Sequence, residues 1–343
     1  MGQQSFHLSK VLKERIEYLL KEHFAFVLFT YPLSTDFQLI VDQGENEGEK
    51  FCLHSFDNQA HIEIKGRMYV NEDIAQALKL KNSSPIKLSP PKSSNYLSQS
   101  NYESYVSGII KAIKRGEITK CVAARKKKIP LNPSFNAAET FLDMYAKNQG
   151  AFCYIANTSA GLWMGATPEL LLAKKENRYF TVALAGTKIV KENRAWTAKE
   201  REEHQVVVDY IKNIISSNGF EVAETSPVFD SGMENILHLK MDINYYADRS
   251  LHQELHPTPA VCGLPVDRAR ELILQHEFDT RSLYAGYLGI EGEFARYYVN
   301  LRCMQIFNDH ADLHIGAGIM EDSDPSKEWL ETEAKAEVMG KLL

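Results

Sequence analysis

No stretch of the 343-residue sequence is apolar over the ~18 residues that a membrane-crossing helix requires. The longest candidate, FAFVLFTYPL, is interrupted by Pro32. The start MGQQSFHLSK lacks the apolar core of a secretory leader, and Ser5 falls one place too early for the usual myristoylation pattern. These absences lead to the expectation of a cytoplasmic protein with no membrane partner. Cysteine is also sparse. There are five (Cys52, Cys121, Cys153, Cys262 and Cys303), scattered, with no two at the spacing of a metal or redox motif. They are expected to be reduced, buried thiols. Positive charge is in deficit, 39 Lys and Arg against 45 Asp and Glu for a net charge of -6. That argues against non-specific nucleic-acid binding and supplies no global attraction for anions, so any anion has to be met by local groups. Two apparent motifs fail on inspection. HQELH misplaces Glu254 for a zinc-protease helix and is followed at once by Pro257, and GLWMGATPE has neither a phosphate-loop lysine nor dinucleotide spacing.

A hydrophobic fraction of 44% and a charged fraction of 24% are those of a globular chain. Residues 5 to 22 read as an amphipathic helix with Leu8, Val11, Leu12, Ile16, Leu19 and Leu20 on one side. Strand-like pieces follow, then the Ser-, Pro- and Asn-rich linker NSSPIKLSPPKSSNYLSQSNYESY. We place the boundary there: an N-terminal α/β portion (1–95) packing on the same core as the chemistry-bearing part (96–343). After the helix ESYVSGIIKAIKRGE come the strand-like pieces ITKCVAARKKKIPL, AFCYIAN, LWMGATPELLLAKK, RYFTVALAGT, YAGYLGIEG, EFARYYVNLRCMQIF and ADLHIGAGIM. Helices are interspersed without regular alternation, which favours an α+β fold of antiparallel sheets flanked by helices.

Several residues break their local pattern. Lys120 shares a strand face with Ile118, Val122 and Ala124; it either snorkels to water at the strand end or sits in a site that desolvates it. Glu203 aligns with Val207, Tyr210 and Ile214 on the apolar side of a helix capped by Thr197 and Glu200, with Glu202 and His204 flanking. A carboxylate there calls for a metal, an arginine or the helix end itself. Glu169, between Pro168 and three leucines, is either a protonated general acid or a rim residue. ALAGTK and IGAGIM place small residues where bare backbone N–H groups can approach an anion. The run Arg125 to Lys128 reads as a solvated strand end. In the last helix, Asp324 is the expected cap and Pro325 the first helical residue. At about 100° per residue, Glu328, Glu331 and Lys335 fall within a ~60° arc beside an expected apolar stripe of Leu330, Ala334, Val338 and Leu342, with Glu333 and Glu337 facing solvent. Glu203 and Glu331 are thus acids beside apolar seams on two distant helices, which could bring carboxylates to one cation.

Nine ordered segments, ITKCVAAR, GATPELLL, ALAGT, EEHQVVV, LHPTPAVCGLP, YAGYLG, LRCMQI, GAGI and SDPSKEWLETEAK, resemble the chorismate-utilising enzymes from about residue 100 onward. Within that family the resemblance is greatest to the isochorismate synthases. It implies an α+β fold enclosing a buried site, with Lys120 as the base that activates water for attack at C2 of chorismate and Glu169 as the acid that protonates the departing C4 hydroxyl. Ammonia-using members typically carry glutamine or another residue in place of Lys120, and aminodeoxychorismate synthases usually carry lysine where Ala185 stands. The resemblance further implies Mg²⁺ held by Glu203 and Glu331 with Glu328 nearby. One substrate carboxylate would meet Arg302, Tyr284 and the backbone of Gly316, Ala317 and Gly318, while Leu184, Gly186, Thr187 and His256 line the ring and Lys335 adds charge beside the metal-bound carboxylate. Cys262 departs from the small residue more usual in AVCGLP.

The implied partner is the small molecule chorismate, handled by a monomer without a glutamine amidotransferase subunit. Salicylate synthases share Lys120 and remain the near alternative, with anthranilate synthase component I behind them. From other classes stand a metallohydrolase using His252, His256 and Glu203, and a catalytically silent binding protein; consumption of chorismate separates both from the family reading. Whether the product feeds menaquinone, a siderophore or another pathway is not legible.

Overall fold

The computed structural model describes residues 2–44, 47–80, 85–86, 95–190, 194–233 and 236–343. Its elements in chain order are α1 (Gly2–Lys21), β1 (Phe26–Thr30), β2 (Gln38–Val41), β3 (Glu49–His54), β4 (His61–Gly66), β5 (Met68–Val70), a 3-10 stretch (Asn71–Lys79), α2 (Gln99–Lys114), β6 (Lys120–Pro130), α3 (Ala137–Lys147), β7 (Phe152–Thr158), β8 (Gly161–Thr167) and β9 (Leu170–Lys175). There follow β10 (Arg178–Ile189), α4 (Ala198–Ser217), β11 (Val222–Thr225), β12 (Phe229–Met233), β13 (Ile236–Tyr246), α5 (His252–Leu255), β14 (Gly263–Leu264), α6 (Val266–His276), β15 (Tyr287–Ile290), β16 (Arg296–Val299), β17 (Cys303–Ile306), β18 (His310–Ile319) and α7 (Pro325–Gly340). Among the described residues no helix is long and apolar enough to cross a membrane. All five cysteines are buried and unbridged.

The strands form two nine-stranded sheets among the described residues. The first runs β14-β6-β18-β17-β8-β7-β1-β2-β5, and the second β11-β13-β10-β9-β16-β15-β3-β4 with β12 on β13. All recorded pairings are antiparallel, so the α+β reading holds. One apolar cluster lies between the sheets, built from Phe29, Phe51, Phe152, Tyr154, Leu172, Ile243 and Val299 among others. A second covers the outer face of the first sheet, where α1, α3 and α7 supply Leu12, Ile16, Phe141, Ala336 and Met339. β1 and β7 are buried at every position, on both faces, rather than at alternate residues.

Two sequence segments that read as single strands are each two strands in different sheets. In LWMGATPELLLAKK the chain leaves the first sheet at the end of β8 and enters the second at β9, turning at Pro168 and Glu169. In EFARYYVNLRCMQIF it returns from β16 to β17 through Asn300, Leu301 and Arg302. The two crossings lie side by side: Thr167 Oγ1 donates to Val299 O (2.6 Å), Val299 N to Glu169 O (2.9 Å) and Ala166 N to Arg302 O (3.1 Å). Proline removes a ladder donor at one corner, and Arg302 takes a positive φ of 46° at the other.

Two helix faces and one strand end differ from the sequence expectation. On α7 the first half of the expected stripe is wrong: Leu330 is 63% exposed and Ala334 is exposed, whereas Thr332, Ala336 and Met339 are buried and Trp329 is half-buried; Leu342 does pack on the core, and the Val338 side chain lies outside the described residues. Small residues let the helix lie close on β18, so size rather than hydrophobicity selected the face. On α4 the buried positions are Glu200, His204, Val207, Val208, Ile211 and Ile215, which turns Tyr210 and Ile214 to the flank and brings His204 inside. The Arg125 to Lys128 run is not wholly solvated. Arg125 is buried under α7, where Trp329 stacks on its guanidinium at 3.9 Å, and Glu333, expected at the surface, accepts from both Arg125 and Lys127 (2.5 Å to the latter).

Candidate active site

Lys120 opens β6 and is only 3% exposed, so the snorkelling alternative is excluded. Two close backbone approaches confine it. Gly263 on β14, at φ +145°, lies so near that a Cβ there would fall 2.2 Å from Lys120 O. Gly318 on β18 faces the side chain itself; a Cβ would stand 3.3 Å from Lys120 Cε and 3.5 Å from Glu203 Oε1. The Lys120 ammonium donates to Glu203 Oε1 at 2.6 Å, so the two outliers of the sequence are one ion pair. Burial pushes the Glu203 carboxyl up, but Lys120, assisted by Lys335 and Lys199, more than offsets this and holds it below the usual glutamate value. The helix end alone therefore does not account for Glu203.

Glu169 occupies the first sheet crossing and is 5% exposed. Burial raises its pKa to about 7, with Thr258 and Lys120 pulling in the opposite direction. Thr258 Oγ1 donates to its Oε1 at 3.4 Å. The rim reading is thereby excluded: this is a buried carboxyl, poised to hold or release a proton near neutrality, within the field of a buried lysine.

Other expected residues gather around the same end of the sheets. Lys335 Nζ donates to Gly316 O (3.0 Å) and pairs with Glu331 (2.6 Å). Tyr284, buried, puts its hydroxyl over Gly316, where a Cβ would stand 2.7 Å away. Ala317 is buried in register with Ala123. Leu184 and Arg302 line one cavity of about 490 Å³, whose wall includes Pro168, Leu170, His238, Lys240 and Tyr298. Gly186 sits at φ +71° in a break of the β10–β13 register, under Trp196, with its carbonyl accepting from His238 Nδ1 at 2.9 Å. The Thr187 side chain lies outside the described residues. His256 Nε2 donates to Ala285 O (2.9 Å), and burial lowers its pKa to about 4, so the ring is neutral at pH 7. Its ring packs near Phe56 and Tyr287.

Glu328 belongs to the same electrostatic neighbourhood. Burial raises its pKa, a hydrogen bond with Ser323 opposes this, and Glu331 adds to the rise. Among the described residues no three His, Cys, Asp or Glu side chains stand close enough together to hold a metal ion. Glu203 and Glu331 are instead each neutralised by a lysine. As donors, three carboxylates are nevertheless the hard oxygen set that Mg²⁺ takes, and two of them already accept a cation in place. In chemical kind the residues fit.

Comparison with known proteins decides the family. Residues 44–343 match the sequence profile described as chorismate binding enzyme. The chain belongs to the chorismate-binding enzyme family. It is 31% identical over 249 residues to the isochorismate synthase MenF of Haemophilus influenzae, an alignment covering 68% of this chain and 58% of that one. To the isochorismate synthase MenF of Escherichia coli K12 it is 28% identical over 310 residues, 86% of this chain and 71% of that one. The solved structure of Escherichia coli MenF superposes with a TM-score of 0.76 at 22% identity, covering 94% of this chain and 89% of that one, and shares the fold. The chain thus spans less than two thirds of the Haemophilus relative's length.

Sequence reasoning passed over Thr258, His238, Glu277 and Arg281. Thr258 and His238 lie among alternating or Pro-rich residues where a polar side chain breaks no pattern. Glu277 and Arg281 were passed over because a charged pair just after a helix reads as surface.

Proposed function

We propose that this chorismate-binding enzyme converts chorismate to isochorismate. The observation that carries the reading is a buried lysine at the start of β6 within electrostatic reach of a buried carboxyl at the crossing between the sheets, whose pKa is raised to about 7. In its neutral form Lys120 takes a proton from water as the oxygen attacks C2 of the ring. The ring double bonds shift, and Glu169 gives its proton to the C4 hydroxyl, which leaves as water. One water enters and one departs, so the reaction is an isomerisation. Arg302, with the Tyr284 hydroxyl and the backbone from Gly316 to Gly318, receives one substrate carboxylate; a guanidinium offers that group a two-pronged contact. Leu184, Gly186, Thr187 and His256 bound the ring.

Glu203, Glu331 and Glu328 would hold Mg²⁺, which when bound supplies counter-charge to the second carboxylate. Lys335 adds a further positive charge beside it. The relatives named isochorismate synthases support the isochorismate-forming activity.

The test is turnover of chorismate with products separated by chromatography. Isochorismate is the expected product; salicylate with pyruvate would identify the enzyme as a salicylate synthase instead. Lys120→Ala should lower kcat by about 10²–10⁴-fold, and near-normal turnover would remove the base assignment. Activity that survives both exhaustive chelation and Glu331→Ala would sink the Mg²⁺ assignment.

A further inference from the structure

Strand β6 carries Lys120 and is unequally supported along its two edges. On one edge β18 pairs with it from Cys121 to Pro130. On the other, β14 offers only Gly263 opposite Cys121 and Leu264 opposite Lys120. Backbone bonds flanking that short pairing, Thr119 N to Leu264 O (2.7 Å) and Val122 N to Cys262 O (2.8 Å), end at Val122. Beyond it the strand edge would present bare backbone groups inside the protein, which is costly.

Two side chains take over where β14 stops. Arg281 Nη2 donates to Val122 O at 2.8 Å, and Glu277 Oε1 accepts from Ala124 N at 3.1 Å. The pair is locked by Arg281 Nε to Glu277 Oε2 (2.7 Å) and Nη2 to Oε1 (2.8 Å), and its side chains are 3% and 8% exposed. Arg281 Nη1 also donates to Val261 O (2.7 Å), and its guanidinium lies over Phe56 at 4.2 Å. Arg281 O accepts from Tyr284 N at 3.0 Å.

We infer that Arg281 and Glu277 are positioning residues that continue β14 in side-chain form and set the place of Lys120 relative to Glu169. The pair binds three segments at once: β6 with Lys120, the stretch from His256 to Cys262 with the Thr258 that holds Glu169, and the turn that presents Tyr284. Neither side chain lines the cavity of Leu184 and Arg302. A fork with fixed donor directions is needed, because Val122 O, Val261 O and both Glu277 oxygens are met by one guanidinium. A lysine cannot reproduce that pattern. Loss of the pair would let β6 shift at its unsupported edge, and a displacement of about 1 Å between reacting groups costs on the order of 10²-fold in rate.

The catalytic part of this inference rests on the proposed isochorismate-forming activity, so two readouts are needed. Arg281→Lys, Arg281→Ala and the double variant Glu277→Leu/Arg281→Met are prepared, the last as an apolar replacement of a buried pair that keeps the fold. The first readout is amide hydrogen exchange at Ala124, whose N–H faces the Glu277 edge, against Ala123, which faces β18. Ala124 should exchange faster in all three variants while Ala123 keeps its protection. The second is chorismate kinetics on the folded fraction: kcat should fall by about 10–100-fold with KM nearly unchanged, and guanidinium should restore part of kcat to Arg281→Ala but not to Arg281→Lys. A folded variant with wild-type kcat, a loss confined to KM, or unaltered Ala124 exchange overturns the inference. Absence of chorismate turnover in the wild-type protein would instead remove the proposed function, and Ala124 exchange would still decide the strand-fixing role.

Discussion

Glu169 is held where its ionised form is disfavoured, and that has a measurable cost. Below about pH 4.5, the ordinary glutamate value, folded and unfolded chains both keep the proton and the group has no effect on stability. From there to about 7 the unfolded chain ionises first, so folding is progressively penalised; above that the penalty is complete, roughly 3–4 kcal/mol. Glu169→Gln should therefore be more stable than the parent by about that amount at pH 8 and equal to it at pH 4, as read from denaturant unfolding, while turnover falls if Glu169 is the acid of the proposed reaction. Equal stability at both pH values would mean that the site does not raise this carboxyl. In the parent enzyme the same ionisation should appear as a fall in kcat/KM as pH rises through about 7. At this scale the sequence was informative where charge contradicted pattern: Lys120 and Glu203 stood on apolar faces, and the structure joins them. It was uninformative at Arg125, because a polar run in a strand looks the same whether its first residue meets water or the indole of Trp329.

Elements carry the site through their ends and contacts. The boundaries of α7 follow from its cap, Asp324 Oδ1 accepting from Ser326 N and Lys327 N (both 3.0 Å) with Pro325 next, and these were readable directly. Its buried face was not, since Thr332 and Ala336 are weakly apolar and Leu330 is strongly so. The orientation is set instead by Arg125 on β6, whose Nε donates to Thr332 Oγ1 at 2.8 Å while its guanidinium meets Glu333. One arginine thus couples the strand of Lys120 to the helix of Glu328 and Glu331. Glu333→Ala leaves that buried guanidinium short of a partner and should destabilise the protein by about 2 kcal/mol, measured as a lower urea midpoint. A change of less than about 0.5 kcal/mol would return Glu333 to the ordinary surface residues.

For the whole molecule, the topology explains why local patterns could indicate the strands yet not the site. Local alternation cannot show that PELLL and NLRC are places where the chain changes sheets, because the signal on either side of each corner is the same strand signal. The corners bring Glu169 and Arg302 together from positions far apart in the chain, a relation that only the order of strands contains. The same order weaves the strands β1 to β5, between Phe26 and Val70, into both sheets. β1 pairs with β7 from Phe26 opposite Asn157 to Thr30 opposite Cys153, and β3 pairs with β15 from Phe51 opposite Ile290 to His54 opposite Tyr287. Removing residues 1–95 would strip β1, β2 and β5 from one sheet and β3 and β4 from the other, opening the apolar edges of β7 and β15 together. It would also remove Phe29, Phe51 and Phe56 from the core between the sheets. A chain of residues 96–343 should accordingly aggregate or lack a cooperative thermal transition, despite holding every residue assigned to the chemistry. Cooperative unfolding of that fragment by circular dichroism would show that the N-terminal strands are an accessory layer rather than part of the core.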